Sequence, residues 1–386
     1  MRILAVADLP PDPNSGAAGT EYQTFAALRR LGHDVDAIWR ADLAPRRIAH
    51  GNLHYLFELP GAYRQAVAAA MARAPYDVVH VNQPHGYLAA EWLRATHPAV
   101  PFVHRSHGLE WRAERDLAQW RQRYEPDSRP WPKRVASQFL GRFLSRHTCR
   151  IASAAWGHIV YVSEDRDYLI DELGVAPERV AVIAAAAPQA MIETAAVPMS
   201  ADRLRTITHV SQFAFFKAPM VVASAMNALA AKHAELRFAW VCDRQHHDAV
   251  RALLSPAVLG RLELRDWMPQ DELRAVYDRA GLFLFPSFFE GFGKVFIEAM
   301  ARGAIVIGSD IAGARDVIKH GRNGILVPPG DSAPIVTAAA ALLGDVERAK
   351  SISAAAGERA REFTWERAAR QTAIFYTRLR ELGPLS

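Results

Sequence analysis

Short runs of Val, Ile, Leu and Phe alternate along this chain with longer alanine-rich stretches whose apolar positions recur at helical spacing. Runs that are apolar throughout fit strands buried on both faces of a parallel sheet, and the longer stretches fit crossover helices. The pattern therefore predicts an α/β class. In the first half it predicts strands at Ile3 to Ala7, Asp34 to Trp39, Val78 to Val81, Phe102 to Arg105 and Ile159 to Val162. In the second half it predicts Thr206 to Val210, Arg237 to Val241, Leu262 to Arg265, Leu282 to Phe285, Ala304 to Ile307 and Gly324 to Val327. A Rossmann-like unit fits each half. Between them, Ala184 to Ala201 holds alanines, Pro188, Pro198 and small polar residues without a sustained period, which is where a hinge is expected. The expected domains are residues 1–190 and 191–364, with a cleft between them. The tail 365–386 reads as a helix, Trp365 to Leu382, stopped by Gly383 and Pro384 and packing back on the first domain.

Composition narrows the picture. At 386 residues, 50% hydrophobic and 23% charged, the chain has enough apolar material for two cores and too much for a disordered polymer. Lys and Arg outnumber Asp and Glu by 46 to 41, which favours acidic partners such as phosphates, anionic lipid or nucleic acid without selecting one. Two cysteines, Cys149 and Cys242, exclude a disulfide framework and a thiolate zinc site, and fit a reducing compartment. The apolar run Ile3 to Ala7 is too short for a secretory signal, and Ile151 to Val162, which carries His158, is too short to span a bilayer. A cytoplasmic protein is expected, with any membrane contact peripheral.

The most informative stretch is PSFFEGFGKVFIEAMARG, which follows Phe285 and ends at Gly303: a strand end, a glycine turn and the start of an apolar helix. Glu298 stands alone in that helix, where an unpaired buried carboxylate is costly. Facing a cleft, it gains roughly 1.5 to 3 kcal/mol per hydrogen bond from ligand hydroxyls, for which ribose is suited. Gly291 and Gly293 let the backbone turn tightly, and the helix start favours an anion such as a diphosphate. In NSGAAGTEYQTFAALRRLGHDV, Gly16 and Gly19 form another strand-to-helix glycine turn. PFVHRSHGLEW places His104 inside a strand and His107 at its carboxyl end, where ligands of parallel sheets gather. Residue type alone leaves both histidines open to a structural or a functional role.

These segments resemble the retaining nucleotide-sugar glycosyltransferases of the GT-B fold, family 4, most densely from Val258 to Asp331, including GARDVIKHGRNGILVPPGD. The resemblance implies two Rossmann-like domains facing each other across a cleft, the first on the acceptor side and the second binding the nucleotide-sugar. It implies that Glu298 holds the ribose, that Glu290 touches the transferred sugar, and that Gly291, Phe292, Gly293, Lys294 and Val295 line the sugar and diphosphate. His107 matches the family's histidine beside the donor sugar, Lys217 a diphosphate-binding lysine, and Gly16 a glycine loop facing the phosphate. Gln212, Arg244 and Trp267 fall in loops that border the donor. The catalytic set is then His107, Lys217 and Glu290.

Three departures from the family pattern stand out. In THVSQFAFFKAP, Gln212 occupies the usual arginine position; WVCDRQHH has Cys242 and Arg244 where glycines are usual; and VIAAAAPQ replaces an asparagine–glycine pair. The stretch Trp111 to Arg150 is locally cationic despite Glu114, Asp116, Glu125 and Asp127. Within it Val135, Phe139 and Phe143, flanked by Leu140 and Leu144, repeat at helical spacing with Gln138, Arg142 and Arg146 on another face. That pattern fits an internally packed helix, or a face meeting an anionic lipid or phosphate-bearing acceptor. Nucleic acid is not an expected partner, because no recognition motif accompanies the charge.

The expected activity is retaining transfer of a sugar from a nucleotide diphosphate donor to a glycan or lipid-linked hydroxyl acceptor, in cell-surface glycan, glycolipid or glycosylated-metabolite synthesis. Neither cofactor nor metal is expected, Lys217 and helix N-termini neutralising the leaving diphosphate. The alternatives are a nucleotide-sugar 2-epimerase and a catalytically silent sugar-nucleotide-binding scaffold.

Overall fold

The chain organises around strands apolar enough to be covered on both faces. The computed structural model describes residues 1–14, 16–124 and 131–385. Unit 1 comprises Met1–Ala185 and Trp365–Ser386, and unit 2 comprises Ala186–Thr364. The strands of unit 1 are β1 (Arg2–Val6), β2 (Asp34–Ile38), β3 (Val78–Asn82), β4 (Phe102–Arg105), β5 (Gly157–Val160) and β6 (Val180–Val182). They form one parallel sheet in the order β2-β1-β3-β4-β5-β6. Unit 2 contains β7 (Thr206–Val210), β8 (Arg237–Val241), β9 (Leu262–Arg265), β10 (Leu282–Phe285), β11 (Ile305–Ser309) and β12 (Ile325–Val327). Their order is β12-β11-β10-β7-β8-β9, again parallel throughout.

Strand order matters more for function than strand count. In unit 1 the order reverses between β1 and β3, and in unit 2 between β7 and β10. Crossovers there leave toward opposite faces of the sheet, which opens a crevice outside the carboxyl ends of the two strands.

The α/β class is as expected, and β4 and β7 to β10 have the expected bounds. β5 begins and ends two residues earlier than the apolar pattern suggests, because Tyr161 and Val162 lead into the helix Ser163–Asp171. The sequence reading missed β6, a three-residue edge strand of which only Val180 is buried. An edge strand with one covered face and this length leaves little hydrophobic signature.

In unit 1, Leu4, Val6, Val79 and Val81 pack with Tyr63, Val67 and Leu93. The C-terminal helix Trp365–Leu382 belongs to this unit. Its Tyr376 hydroxyl lies 2.5 Å from His80 Nδ1, and Arg380 lies 3.3 Å from Asp77. A side chain at Gly157 would collide with Leu379 and Phe375, so glycine allows the helix its close approach. No helix among the described residues is long and apolar enough to cross a membrane.

The segment expected as a hinge spans the boundary between the units, and much of it is fastened to unit 2 by two buried arginines. Arg302 donates to the carbonyls of Met191 (3.3 Å), Thr194 (2.7 Å) and Ala195 (2.7 Å) and pairs with Asp278. Arg203 donates to Ala280 O (3.0 Å), Tyr277 O (3.2 Å) and Arg302 O (2.6 Å), and also to Val197 O. Main-chain carbonyls of the segment after the unit boundary thus find side-chain donors.

The cationic stretch forms the helices Glu110–Tyr124 and Trp131–Ala154. Glu125, Asp127 and the side chains of Trp111, Glu114, Val135 and Gln138 lie outside the described residues. Phe139 is 56% exposed and Phe143 43%, so internal packing does not extend to this part of the helix. Burial begins at His147 and Thr148 and resumes at Ile151, with Cys149 and Arg150 exposed between them. Arg146 sits 4.7 Å from the Phe143 ring centre.

Replacing Arg302 by Met keeps bulk but strands three carbonyls and Asp278. About 3 kcal/mol should be lost, the cost of removing one partner of a buried ion pair. Urea titration of the variant should show a clearly lower midpoint; an unchanged midpoint would remove Arg302 as the fastener of residues 191–195.

Candidate active site

Chemistry in unit 2 collects at the β7/β10 switch point. After β7 the chain makes a single turn, Phe215–Lys217, and then enters the helix Pro219–Lys232. Pro219 disfavours a right-handed helical conformation at the residue before it, and Ala218 adopts φ +52°. A left-handed alanine costs about 1–2 kcal/mol, and such outliers cluster at constrained functional sites. The turn aims Lys217 at the loop after β10. There Lys217 Nζ pairs with Glu290 Oε1, and Ser287 Oγ donates to the same oxygen at 2.9 Å. A further hydrogen bond, Phe288 N to Phe216 O at 2.8 Å, ties the two loops. Lys217 and Glu290 are 73 residues apart in sequence and meet because their strands are neighbours at the point of reversal.

The loop then passes through Gly291 and the buried Phe292 to Gly293, which has φ +87° and opens the helix Lys294–Ala301. A side chain on Gly293 would run into the Phe296 ring as well as the wrong backbone region. The N-terminal end of the helix dipole and the Lys294 side chain make this end electropositive. Val295 is half-buried in that turn.

Glu298 is 3% exposed but not alone, since the Tyr277 hydroxyl donates to its Oε2 at 3.0 Å. Burial pushes the Glu298 carboxyl above its ordinary value, and Lys294 and the Tyr277 hydrogen bond oppose that shift in part. Tyr277 was not expected from the sequence. Its place in the helix Gln270–Arg279, whose Leu273, Val276 and Tyr277 face the interior, is the signal that was available.

The other expected donor residues lie in the loops after β7, β8 and β9. Gln212, Arg244 and Trp267 are all exposed. Asp266 Oδ1 accepts from Arg244 N (3.0 Å) and Trp267 N (2.8 Å), which ties the loop after β8 to the loop after β9. Phe213 stacks on His246 with ring centres 5.2 Å apart. Gln212 carries no charge, and the Arg244 side chain is exposed.

In unit 1, Gly16 is exposed at the start of the helix Ala17–Arg30 with an ordinary φ of −61°. The steric demand falls on Gly19, where a Cβ would sit 2.7 Å from Pro13 O. His104 is fully buried in β4 and its Nδ1 lies 3.1 Å from His158 Nδ1. Burial, followed by the nearby His158, depresses the His104 pKa well below the usual imidazole range. His107 lies just past β4. Its Nδ1 is 2.9 Å from the Tyr161 hydroxyl and its Nε2 is 3.0 Å from Glu21 Oε1.

Glu21 is the residue that sequence reasoning missed. It is fully buried on the helix Ala17–Arg30, one turn before Phe25 and two before Leu28, on the same inward face. A charged residue in step with an apolar stripe was the available signal. Burial acts to raise its pKa, but the Arg105 charge, then His107 and His80, hold the carboxyl well below the usual range.

Comparison with known proteins follows the same division. Residues 15–186 match the family model "Glycosyltransferase Family 4", and residues 205–345 match "Glycosyl transferases group 1". The D-inositol 3-phosphate glycosyltransferase of Streptomyces bingchenggensis is 29% identical over 329 residues, covering 78% of this chain and 66% of that protein. The sucrose-phosphate synthase structure from Thermosynechococcus elongatus superposes with a TM-score of 0.76 at 20% identity, covering 99% of this chain and 100% of the other. Anabaena HepE in complex with UDP-glucose gives a TM-score of 0.68 at 17% identity over 96% and 98% of the two chains.

The raised pKa of Glu298 has a stability consequence. A carboxyl that holds its proton more tightly when folded adds stability at acid pH, and that stability is lost as pH rises through the folded-state pKa. Glu298→Gln keeps an acceptor for Tyr277 and removes the titration. The variant should gain thermal stability over the wild type more at pH 8 than at pH 4.5. Melting curves showing the same difference at both pH values would mean that the carboxyl titrates normally.

Proposed function

Because the chain belongs to the family 4 glycosyltransferases and has their GT-B fold, we propose that it moves a hexosyl group from a nucleotide diphosphate sugar to a hydroxyl acceptor with retention at the anomeric carbon. The observation that carries this reading is the Lys217–Glu290 pair at the β7/β10 switch point, beside the start of the helix that bears Glu298. Unit 2 takes the donor. Glu298 accepts hydrogen bonds from the ribose hydroxyls while Tyr277 holds its other side, and the N–H groups from Gly293 onward receive the diphosphate. Lys217 neutralises charge on the departing phosphate, and Glu290, relieved of the lysine, accepts from hydroxyls of the transferred sugar. With Gln212 at the position where the family has an arginine, Lys217 carries most of that stabilisation.

Unit 1 supplies the acceptor side, including His107. The acceptor hydroxyl attacks C1 on the face from which the diphosphate leaves. As the new C1–O bond forms, the C1–O bond to phosphate breaks, and a phosphate oxygen takes the acceptor's proton. No metal is assigned a part, since Lys217 and the helix start provide the positive charge. The activity ascribed to the Streptomyces relative supports a phosphorylated polyol as the acceptor class, and the UDP-glucose bound by Anabaena HepE supports UDP-glucose as the first donor to try. The exposed Phe139 and Phe143 beside the exposed Arg142 and Arg146 favour peripheral contact with anionic lipid, which would bring the enzyme to lipid-linked acceptors.

The decisive measurement is acceptor-dependent release of nucleoside diphosphate from a panel of nucleotide sugars, UDP-glucose first, against inositol phosphates and simple glycans. Release supports transfer; interconversion of the donor without release indicates an epimerase, and neither indicates a scaffold. Glu298→Ala should abolish donor binding in calorimetry, whereas Glu290→Ala should still bind nucleoside diphosphate and lose turnover by about two to three orders of magnitude. Lys217→Ala should be close to inactive, and wild-type turnover should survive EDTA; loss restored by magnesium or manganese would overturn the metal-free reading.

Binding to phosphatidylglycerol vesicles should fall when Phe139 and Phe143 are replaced by serine. Equal binding by wild type and variant would exclude this face as the membrane contact.

A further inference from the structure

Four ionisable side chains, Glu21, His80, Arg105 and His107, meet in the interior of unit 1, three of them at 0% exposure. Glu21 Oε2 lies 3.5 Å from His80 Nε2, and its Oε1 lies 3.0 Å from His107 Nε2 and 3.9 Å from Arg105 Nε. Packing alone does not call for this charge, since apolar residues of similar shape in place of a buried ionic group are often neutral or stabilising. The two imidazoles are held in the same way. Each presents Nε2 to the carboxylate and Nδ1 to a tyrosine hydroxyl, Tyr161 for His107 at 2.9 Å and Tyr376 for His80 at 2.5 Å. An ionised carboxylate only accepts, so the ring nitrogen turned toward Glu21 is the one suited to carry the proton, which leaves Nδ1 to accept from the tyrosine hydroxyl. An imidazole that accepts at Nδ1 carries its own proton on Nε2, which then faces Glu21.

We propose that Glu21 is a positioning residue: its carboxylate fixes His107 and His80 as Nε2–H tautomers and thereby holds the loop after β4 in the arrangement that transfer requires. Arg105 balances the charge from below, with its Nη1 donating to Thr24 Oγ1 at 3.2 Å and its guanidinium carbon 5.2 Å from the Tyr161 ring centre. His107 is the member nearest the surface, and Gly108, which follows it at φ +125°, starts the turn into the helix Glu110–Tyr124. Glu21 therefore links the helix after β1, β3, β4 and the loop that carries His107, together with the C-terminal helix through Tyr376. The effect on turnover rests on the role proposed above for His107; the tautomers rest on unit 1 alone.

The test uses the full-length protein labelled with 15N-histidine. Long-range proton–nitrogen spectra at neutral pH, with the two rings assigned by His107→Gln and His80→Gln spectra, should show Nε2–H tautomers for both. Glu21→Gln should mix the His107 tautomers and lower kcat on the order of 10- to 100-fold, as when a group that orients an imidazole is removed. UDP affinity and the KM for UDP-glucose should change by less than roughly twofold, because the donor residues are untouched. Should Glu21→Gln not fold, Tyr161→Phe removes only the hydroxyl at Nδ1 and should likewise lower kcat with UDP affinity kept. An Nδ1–H tautomer at His107 in the wild type, or a wild-type kcat in the variant that folds, would overturn the proposal. A wild-type protein that binds no UDP and transfers nothing would instead refute the donor reading, and the tautomers would still decide the part played by Glu21.

Discussion

Covering a parallel sheet on both faces governs everything else in this molecule. Strands such as β3, β10 and β11 are buried along their whole length, so a polar group within them must be partnered in place, as His104 is with His158. Chemistry is pushed to the loops at the carboxyl ends, and strand order decides which loops become neighbours. In unit 2 the reversal between β7 and β10 sets a lysine and a glutamate from distant segments against one another. A different order built from the same strands would separate them.

Two buried glutamates show how surroundings set chemistry. Glu21 and Glu298 are both withdrawn from water on helices that follow a strand. Glu21 has a guanidinium and two imidazoles about it, and its carboxyl is driven well below the ordinary range despite burial. Glu298 has a tyrosine hydroxyl and the more distant Lys294, and burial prevails. The first arrangement suits a permanent charge that orients its neighbours. The second suits an acceptor whose remaining capacity is best met by ligand hydroxyls, since an ionised buried carboxylate with few partners is costly.

The buried arginines extend the same economy of polar groups to the backbone. Arg203 and Arg302 gather main-chain carbonyls from residues 191–197 and 277–302. Arg302 immediately follows the helix that carries Glu298, and Arg203 bonds the carbonyl of Tyr277, the partner of Glu298. The segment after the unit boundary is thus anchored to the elements that position the ribose-binding candidate.

Local pattern was enough to determine the α/β class, the strand positions in the core, and the glycine turn and apolar helix that bear Glu290 and Glu298, because a run buried on both faces must be apolar throughout and a glycine turn advertises its backbone; Lys217 was legible only through the family resemblance. The edge strand β6 escaped because a three-residue strand on the sheet's rim has little apolar signature. Residue type alone did not separate His104 from His107, which the strand end and the family resemblance favoured, and the sequence left open whether Phe139 and Phe143 packed inside. Only the tertiary structure decided the partners: Lys217 with Glu290, Tyr277 with Glu298, and Glu21 with His80, Arg105 and His107. These contacts join residues from 21 to 86 positions apart, and such pairings are set by the order of strands in the sheet, which no local run of residues encodes.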